Sequence, residues 1–165
     1  MFGRLLRGRI DNEKIMRAVI QRVTRCSVAI DGELHSSIGH GLMVLVAVEE
    51  SDTREDADWI AAKIGRMRLF NDDAGVMNLS LTQVNGEIMI ISQFTLFAST
   101  KKGNRPSYIR AAPPSFAVPL YEYFIEKAAS ECAVVPQTGV FGADMQVELV
   151  NDGPVTILID SKNRE

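Results

Sequence analysis

The stretch IMIISQFTL, at positions 88–96, joins an apolar run to a polar one. Residues 88–91 are all apolar, and a short run of this kind is typical of a strand buried on both faces. Polar groups begin at Ser92. Because strand side chains alternate between faces, Gln93 and Thr95 are expected to share one face. The simpler interpretation is a strand that reaches the surface at its end, with Thr95 present for its β-propensity. The alternative is a buried strand that ends at a functional site.

The pairs Asp31-Gly32 and Asn85-Gly86 predict tight turns, since an Asx-Gly dipeptide readily adopts the positive φ angles of a two-residue hairpin. Asp31-Gly32 separates residues 28–30 from residues 33–38 and predicts a first hairpin. Asn85-Gly86 separates residues 77–84 from the apolar run described above and predicts a second one. Short strands with turns between them therefore make up much of the chain.

Two segments have helical spacing. The first is capped by Asp52 or Thr53, and acidic residues follow in its first turn, where they complement the positive end of a helix. Its apolar face consists of Trp59, Ile60, Ile64, Met67 and Leu69. The second opens at residues 113–115 with two prolines and a serine. Its apolar stripe consists of Leu120, Tyr121, Phe124, Ile125 and Ala128. Together with a buried strand over residues 42–48, these elements predict a single α+β domain, a mixed sheet covered by two helices.

The composition is that of an ordinary globular domain. The 165 residues are 46% apolar and 24% charged, with a net charge of −3, which argues against a disordered chain. The longest apolar run, residues 42–48, is much shorter than the roughly 20 residues of a membrane span. Cys26 and Cys132 have neither metal nor redox spacing; their number allows one bridge, but we expect buried thiols in a reducing, cytoplasmic protein.

Residues 1–15 differ from the rest of the chain. They lack the long apolar segment of a secretory signal. Two acids and the lack of serine weaken the interpretation as a mitochondrial transit peptide, which Arg4, Arg7 and Arg9 leave open. A strongly patterned segment begins at Met16. We therefore expect a flexible extension over residues 1–15, a domain over residues 16–161 and a tail over residues 162–165.

Several familiar kinds of catalytic site are not supported. The two histidines, His35 and His40, both lie in or beside the first predicted hairpin, which leaves no base for a Ser-His-Asp arrangement. Two histidines and two cysteines without ligand spacing argue against a zinc or iron site. Neither GxGxxG nor GxxxxGK[ST] occurs in the sequence, so nucleotide-binding loops are unsupported. We predict no metal and no cofactor.

Two further segments are candidates for function. Asn151-Asp152-Gly153-Pro154 lies between the predicted strands 145–150 and 155–159, and a Gly-Pro bond can adopt the cis form, which would point two carbonyl groups in a fixed direction. An ordinary hairpin turn is the simpler interpretation. A polar, proline-containing loop carries four cations that could contact phosphate, although solvated loop charges are the simpler interpretation. These cations are Lys101, Lys102, Arg105 and Arg110.

Four segments together resemble the D-aminoacyl-tRNA deacylase family. They are MRAVIQRVTRCSV at 16–28, SQFTL at 92–96, KGNRPS at 102–107 and TGVFGADMQVELVNDGPVT at 138–156. The resemblance extends from Met16 to about Ser161, and the family motifs SQFTL and NxGPxT are both intact. The chain departs from the family in its first fifteen residues and at Tyr108, where Phe is common.

The resemblance implies hydrolysis of the ester between a D-amino acid, or glycine, and the terminal adenosine of tRNA, in chiral proofreading of translation. It implies a homodimer without cofactor, in which the segment Ser92, Gln93, Phe94 and Thr95 of one subunit meets the Gly-cisPro turn of the other. Here that turn is Gly153-Pro154, whose carbonyls would engage the substrate amino group and leave no room for an L side chain. Arg22 is implied to brace the turn, and Phe141 and Met145 to line the pocket.

Because no histidine base accompanies either motif, the reaction needs another source of activation. Backbone amides around Phe94 and Thr95 would stabilise the developing oxyanion. The ribose 2′-hydroxyl makes the ester labile, and Thr95 would position substrate or water and not attack it. A dimeric binding module without turnover and a hydrolase of free D-amino esters remain the alternatives.

Overall fold

A long first strand organises the sheet in the computed structural model, which describes residues 16–165. Strand β1 (Arg17–Ile30) pairs antiparallel along one edge with two strands in succession. Its second half pairs with β2 (Glu33–Ile38) and its first half with β3 (Gly41–Ala47). Along its other edge it pairs antiparallel with β8 (Gln146–Asp160). The beginning and the end of the domain therefore lie side by side.

Two helical connections extend the sheet beyond β3. Helix α1 (Arg54–Arg66), followed by the two-stranded ribbon of β4 (Phe70–Asn71) and β5 (Met77–Leu79), leads to β6 (Glu87–Ser92). Strand β6 is parallel to β3. Helix α2 (Pro114–Cys132) then leads to β7 (Gln137–Thr138), which is parallel to β6. Both helices pack on one face of the sheet, so the predicted α+β fold with a mixed sheet and two covering helices is confirmed.

The central strands are buried on both faces, as their apolar sequences predict. On β3, Leu42 and Val44 point to the core beneath the helices, whereas Met43 points to a second core on the opposite face. On β6, Ile90 and Met89 divide in the same way. The second core is the smaller of the two. Beside it, the Ser36 hydroxyl of β2 donates to the Thr138 carbonyl of β7 at 2.7 Å.

The first predicted hairpin is confirmed and the second is wrong. Asp31 and Gly32 have φ angles of 52° and 77° and connect β1 to β2. Asn85, with a φ of 51°, also forms a turn, but the preceding residues do not pair with β6. Residues 80–86 instead form successive turns over the buried Leu81, whose carbonyl accepts the Gly86 N–H at 3.0 Å. The local turn chemistry was therefore correct, while the strand partner was not.

The two predicted strands 145–150 and 155–159 form the single strand β8. They do not pair with each other, because both continue along β1. Between the pairs Gln21↔Thr156 and Val23↔Asn151, four residues of β8 stand opposite one residue of β1. The expected hairpin turn at residues 151–154 is thus a wide bulge.

The ends of the domain are joined by buried polar groups. The Met16 N–H donates to the Ser161 hydroxyl at 3.2 Å, and that hydroxyl donates to Asp56 at 2.7 Å.

The predicted extension over residues 1–15 lies outside the described residues. Among residues 16–165 no helix is long and apolar enough to cross a membrane. Cys26 and Cys132 are free and buried, and burial raises the pKa of each thiol to about 11.

Thr53, and not Asp52, caps helix α1, since its backbone N–H donates to the Asp56 carboxylate at 2.8 Å. Asp52 is only 4% exposed. One of its oxygens accepts the Glu49 N–H at 2.7 Å, and the other has no hydrogen-bond partner. Burial raises the pKa of Asp52 to about 7, with the nearby carboxylates of Asp56 and Glu49 adding to the shift. The native state therefore retains a proton that the unfolded chain releases near pH 4.

This raised pKa predicts that stability falls as the pH rises from about 4 to about 7, because the native state binds more protons in that window. We expect the free energy of unfolding to fall by about 1–2 kcal/mol more for the wild type than for Asp52→Asn between pH 5 and pH 8. Urea denaturation at both pH values measures the free energy of unfolding. The contributions of the other ionisable groups cancel when the two proteins are compared. An identical pH dependence would contradict the assignment.

Candidate functional site

A cavity of about 280 Å³ opens at the carboxyl ends of the parallel strands β3 and β6. Sites are common at this edge of parallel sheets, because the loops that follow the strands converge there. Ser92, Gln93 and Phe94 form one wall. The remaining lining residues come from the ends of β3 and β6, from α2 and its approach, and from the segment before β8 and the start of that strand. They are Val46, Ala47, Val48, Ile91, Ala112, Ala117, Tyr121, Phe141, Gly142, Ala143, Met145 and Val147.

The segment predicted to continue as a strand through residue 96 changes conformation inside the site. Strand β6 ends at Ser92, and the Gln93 N–H makes a last sheet hydrogen bond to the Val46 carbonyl at 2.8 Å. A 3₁₀ helix over Phe94–Phe97 follows. The expected alternation of faces is therefore wrong here, because a tight turn replaces the pleat. Gln93 and Thr95 nevertheless meet, since the Gln93 side-chain amide donates to the Thr95 hydroxyl.

The 3₁₀ helix is anchored by its last residue. Phe97 is fully buried between two guanidinium groups, that of Arg17 at 5.1 Å from the ring centroid and that of Arg110 at 5.4 Å. Arg17 also donates to the Leu96 carbonyl at 3.0 Å. These contacts fix the backbone that carries Phe94, which lines the cavity, and Thr95, which is not among its lining residues.

Tyr121 of α2 forms part of the cavity wall and was missed as a site residue. Its ring centroid lies 5.7 Å from that of Phe141, and its hydroxyl donates to the Ile90 carbonyl at 3.1 Å. Burial raises the pKa of Tyr121 to about 12, so the phenol stays protonated and neutral. The sequence pattern places Tyr121 in the buried stripe of its helix. A buried tyrosine hydroxyl needs a polar partner, and this requirement could have marked Tyr121 as different from its apolar neighbours.

Arg22 occupies the bulge in β8. Its side chain is buried, and its Nε donates to the Asp152 carbonyl at 2.8 Å. One terminal nitrogen donates to the Leu69 carbonyl at 2.7 Å. The other terminal nitrogen lies 3.4 Å from the position that a Cβ on Gly153 would occupy. The guanidinium therefore lies directly against the turn that the resemblance implied it would brace. Its buried charge is satisfied by these carbonyl acceptors and by the Asp152 carboxylate, 3.5 Å from Nε.

Asn151 closes the bulge from the other side. Its side-chain oxygen accepts the Val155 N–H at 2.7 Å, and its amide donates to the Val155 carbonyl and the Thr156 hydroxyl, each at 3.2 Å. This residue was absent from the predicted site set. The sequence could have indicated it, since Asn151 and Thr156 are the first and last residues of the NxGPxT motif.

The predicted site residues fall into two groups within one chain. Ser92, Gln93, Phe94, Phe141 and Met145 line the cavity. The turn formed by Gly153 and Pro154, joined by a cis peptide bond, is exposed and does not line it.

The basic loop follows the 3₁₀ helix. Ser99 and Ser107 exchange two backbone hydrogen bonds, at 2.8 and 2.9 Å, and close its base. Lys101, Lys102 and Arg105 are exposed, and none of them forms an ion pair with another described residue. Arg110 differs from these three because it pairs with the buried Glu49 at 2.6 Å.

The cavity offers few ionisable groups. Among its lining residues the side chains able to bond a polar ligand are Ser92, Gln93 and Tyr121. The described histidines lie elsewhere, with the ring of His40 packed edge-on against Phe70 at 5.0 Å. Within residues 16–165, no group of three or more His, Cys, Asp or Glu side chains is placed to hold a metal ion.

Sequence comparisons with known proteins identify one family, and a structural comparison finds a similar fold. A family model described as D-Tyr-tRNA(Tyr) deacylase matches residues 19–160. Relatives named D-aminoacyl-tRNA deacylase from Parabacteroides distasonis and Bacteroides thetaiotaomicron are each 57% identical over 150 residues, which is 91% of this chain and 100% of theirs. A solved structure described as "c-Myc DNA Unwinding Element Binding Protein" is 39% identical, with a TM-score of 0.81 over 87% of this chain and 97% of that one.

Proposed function

Because this chain belongs to the D-Tyr-tRNA(Tyr) deacylase family, we infer that its cavity hydrolyses the ester between a D-amino acid and the terminal adenosine of tRNA. The chain is thus a D-aminoacyl-tRNA deacylase, a hydrolase of carboxylic esters. The observation that carries this conclusion is the family match across nearly the whole described domain, with the intact SQFTL segment on the cavity wall. Its role is to remove D-amino acids from tRNA before they reach translation, which we place in the cytoplasm.

We propose that the working site is shared between two copies of the chain. The exposed turn at Gly153-Pro154 does not line the cavity of its own chain, yet Arg22 and Asn151 hold it rigidly. Rigid support of an exposed turn is expected if the turn must enter another molecule in a fixed geometry. A homodimer would place this turn over the partner's cavity, as the resemblance implies.

In this arrangement the turn selects the substrate by its handedness. Its carbonyl groups accept hydrogen bonds from the substrate α-amino group, which orients the three other substituents of the α-carbon. An L side chain would then point into the backbone of the turn, whereas a D side chain would point away from it. Glycine, which has no side chain to exclude, is accepted as well.

Hydrolysis proceeds by positioning and charge stabilisation. The N–H groups of Phe94 and Thr95 begin the 3₁₀ helix and have no carbonyl partner within it. They suit the developing oxyanion, to which one such donor contributes about 3–4 kcal/mol in a protease. Gln93 and Thr95 orient the substrate or the attacking water, and the ribose 2′-hydroxyl assists. Thr95 does not attack the ester, since no base is within reach to take its proton.

The tRNA body is held by charge. We assign phosphate contacts to Lys101, Lys102 and Arg105, because they are exposed and unpaired among the described residues. Arg110 was predicted to share this role. Its ion pair with Glu49 and its contact with Phe97 favour a supporting role, which links the basic loop to the 3₁₀ helix.

Turnover of D-tyrosyl-tRNA tests the proposed function. With protein at one-hundredth of the substrate concentration, we expect complete release of D-tyrosine, because each site is regenerated after hydrolysis. Acid precipitation of labelled aminoacyl-tRNA follows the reaction, and buffer alone gives the uncatalysed rate. A binding module without turnover would leave the ester intact. A hydrolase of free D-amino esters would act as well on D-tyrosine methyl ester as on D-tyrosyl-tRNA.

A further inference from the structure

Two aromatic rings are exposed at the mouth of the cavity. Phe94 is 56% exposed and Tyr108 is 39% exposed, although large aromatic side chains are usually buried. Their ring centroids are 5.1 Å apart and their planes meet at 76°. Phe94 also lines the cavity, so the pair continues the cavity wall outward onto the surface.

The backbone beneath both rings is fixed. Phe94 begins the 3₁₀ helix, which is anchored by Phe97. Tyr108 directly follows Ser107, the residue whose two backbone hydrogen bonds close the base of the basic loop. The Tyr108 carbonyl accepts the Ala111 N–H at 3.0 Å. The pair is therefore a preformed surface whose side chains need little ordering when a ligand binds.

The same loop carries unpaired positive charge. Lys101, Lys102 and Arg105 lie three to seven positions before Tyr108 in a loop whose base is closed. Exposed aromatic rings beside such cations are the combination by which proteins bind single-stranded nucleic acid, since bases stack on the rings while phosphates meet the charges. A protein partner would leave these three cations without acceptors unless it were acidic.

We propose that Phe94 and Tyr108 form a stacking platform for the unpaired nucleotide that precedes the terminal adenosine of the substrate. This inference rests on the proposed function, because the cavity must hold the ester of that adenosine for its neighbour to reach the platform. The cations then contact the phosphates further along the strand. The two rings bind the RNA and take no part in the chemical step, to which Phe94 contributes only its backbone N–H.

The test separates the nucleotide from the ester by using two substrates, D-tyrosyl-tRNA and D-tyrosyl-adenosine, which lacks every preceding nucleotide. We expect Tyr108→Leu to raise KM for D-tyrosyl-tRNA by about 5- to 50-fold with kcat unchanged, as loss of one stacked base predicts. Its kcat/KM on D-tyrosyl-adenosine should stay within about twofold of the wild type. Tyr108→Phe, which keeps the ring, should retain the wild-type KM. Ile109→Ala is the matched control, since Ile109 is the 89% exposed apolar neighbour without a ring.

Three results would overturn the platform. Equal losses on both substrates would show that Tyr108 supports the cavity and not the RNA, and an unchanged KM for D-tyrosyl-tRNA would show that the ring does not contact it. A changed molecular mass of Tyr108→Leu by light scattering would assign the ring to a subunit contact. Failure of the wild type on D-tyrosyl-tRNA would instead remove the proposed function, and with it the reason to place RNA here.

Discussion

D-Tyrosine is expected to leave D-tyrosyl-tRNA at least 100-fold faster than L-tyrosine leaves L-tyrosyl-tRNA when this protein is present. This ratio corresponds to about 3 kcal/mol in the activation barrier. The reason is steric, since the proposed contacts of the turn with the α-amino group leave the L side chain facing backbone that Arg22 and Asn151 hold in place. A rigid obstacle discriminates more strongly than a flexible one, which could move aside at little cost.

The measurement needs initial rates for the two esters under identical conditions, with the uncatalysed rate of each subtracted. Glycyl-tRNA is the informative third substrate. Because glycine has no side chain, its ester should be hydrolysed as well, although the same contacts exclude the L ester. Equal rates for the D and L esters would contradict chiral selection. Rejection of glycine together with L-tyrosine would instead indicate that the cavity selects for the D side chain itself.

The sequence predicts best those strands whose burial is visible in their own residues. Residues 42–48 and 88–91 are apolar without interruption, and each lies between two cores. The helices are equally local in origin, since the spacing of Ile60 and Ile64, or of Leu120 and Phe124, is enough to define a buried face. Fold class followed from these elements because few architectures bury such strands under two helices.

Strand partners were less predictable, because a turn signal describes only the residues that form it. Asn85-Gly86 turns as expected, but β6 pairs with β3 and β7 across helical connections that no local pattern records. Over residues 152–155 the chain leaves β1 and then returns to it, and a bulge of this kind carries the same Gly-Pro signal as a hairpin turn. The alignment of β8 with β1 around Arg22 distinguishes a bulge from a hairpin turn, and Arg22 lies about 130 residues earlier in the chain.

The candidate site was predicted in part for the same reason. Ser92, Gln93 and Phe94 were identifiable because polar residues appear abruptly after a buried strand, and the structure places them on the cavity wall. The 3₁₀ turn that presents them was not predictable, since it depends on Phe97 being held by Arg17 and Arg110. The roles of Arg22 and the Gly153-Pro154 turn came from the family resemblance, and they stay predictions until they are tested.

Gly153 provides a way to disable the turn without touching the cavity. Its φ of +147° lies in a region that L residues rarely adopt, and an added Cβ would lie 2.7 Å from the Val155 side chain and 2.8 Å from its backbone nitrogen. Gly153→Ala should therefore displace the turn. Gly32→Ala is the matched control, since Gly32 also has a positive φ, of +77°, but no atom lies within 4 Å of the added Cβ. Both variants lose a glycine with positive φ, and only the first should lose activity.

Mixing two inactive variants should restore activity if the site is shared between subunits. Gly153→Ala lacks a working turn, and the double variant Gln93→Ala/Thr95→Ala lacks the positioning side chains of the 3₁₀ segment. A heterodimer of the two contains one site in which both defects meet and one in which both parts are intact. Random exchange places half of the subunits in heterodimers, so we expect about a quarter of wild-type activity per subunit, by the additivity of independent sites. Hydrolysis of D-tyrosyl-tRNA is measured before and after exchange by mild denaturation and refolding, with mass spectrometry verifying the heterodimer. If verified heterodimers are no more active than the separate variants, the turn acts within its own chain.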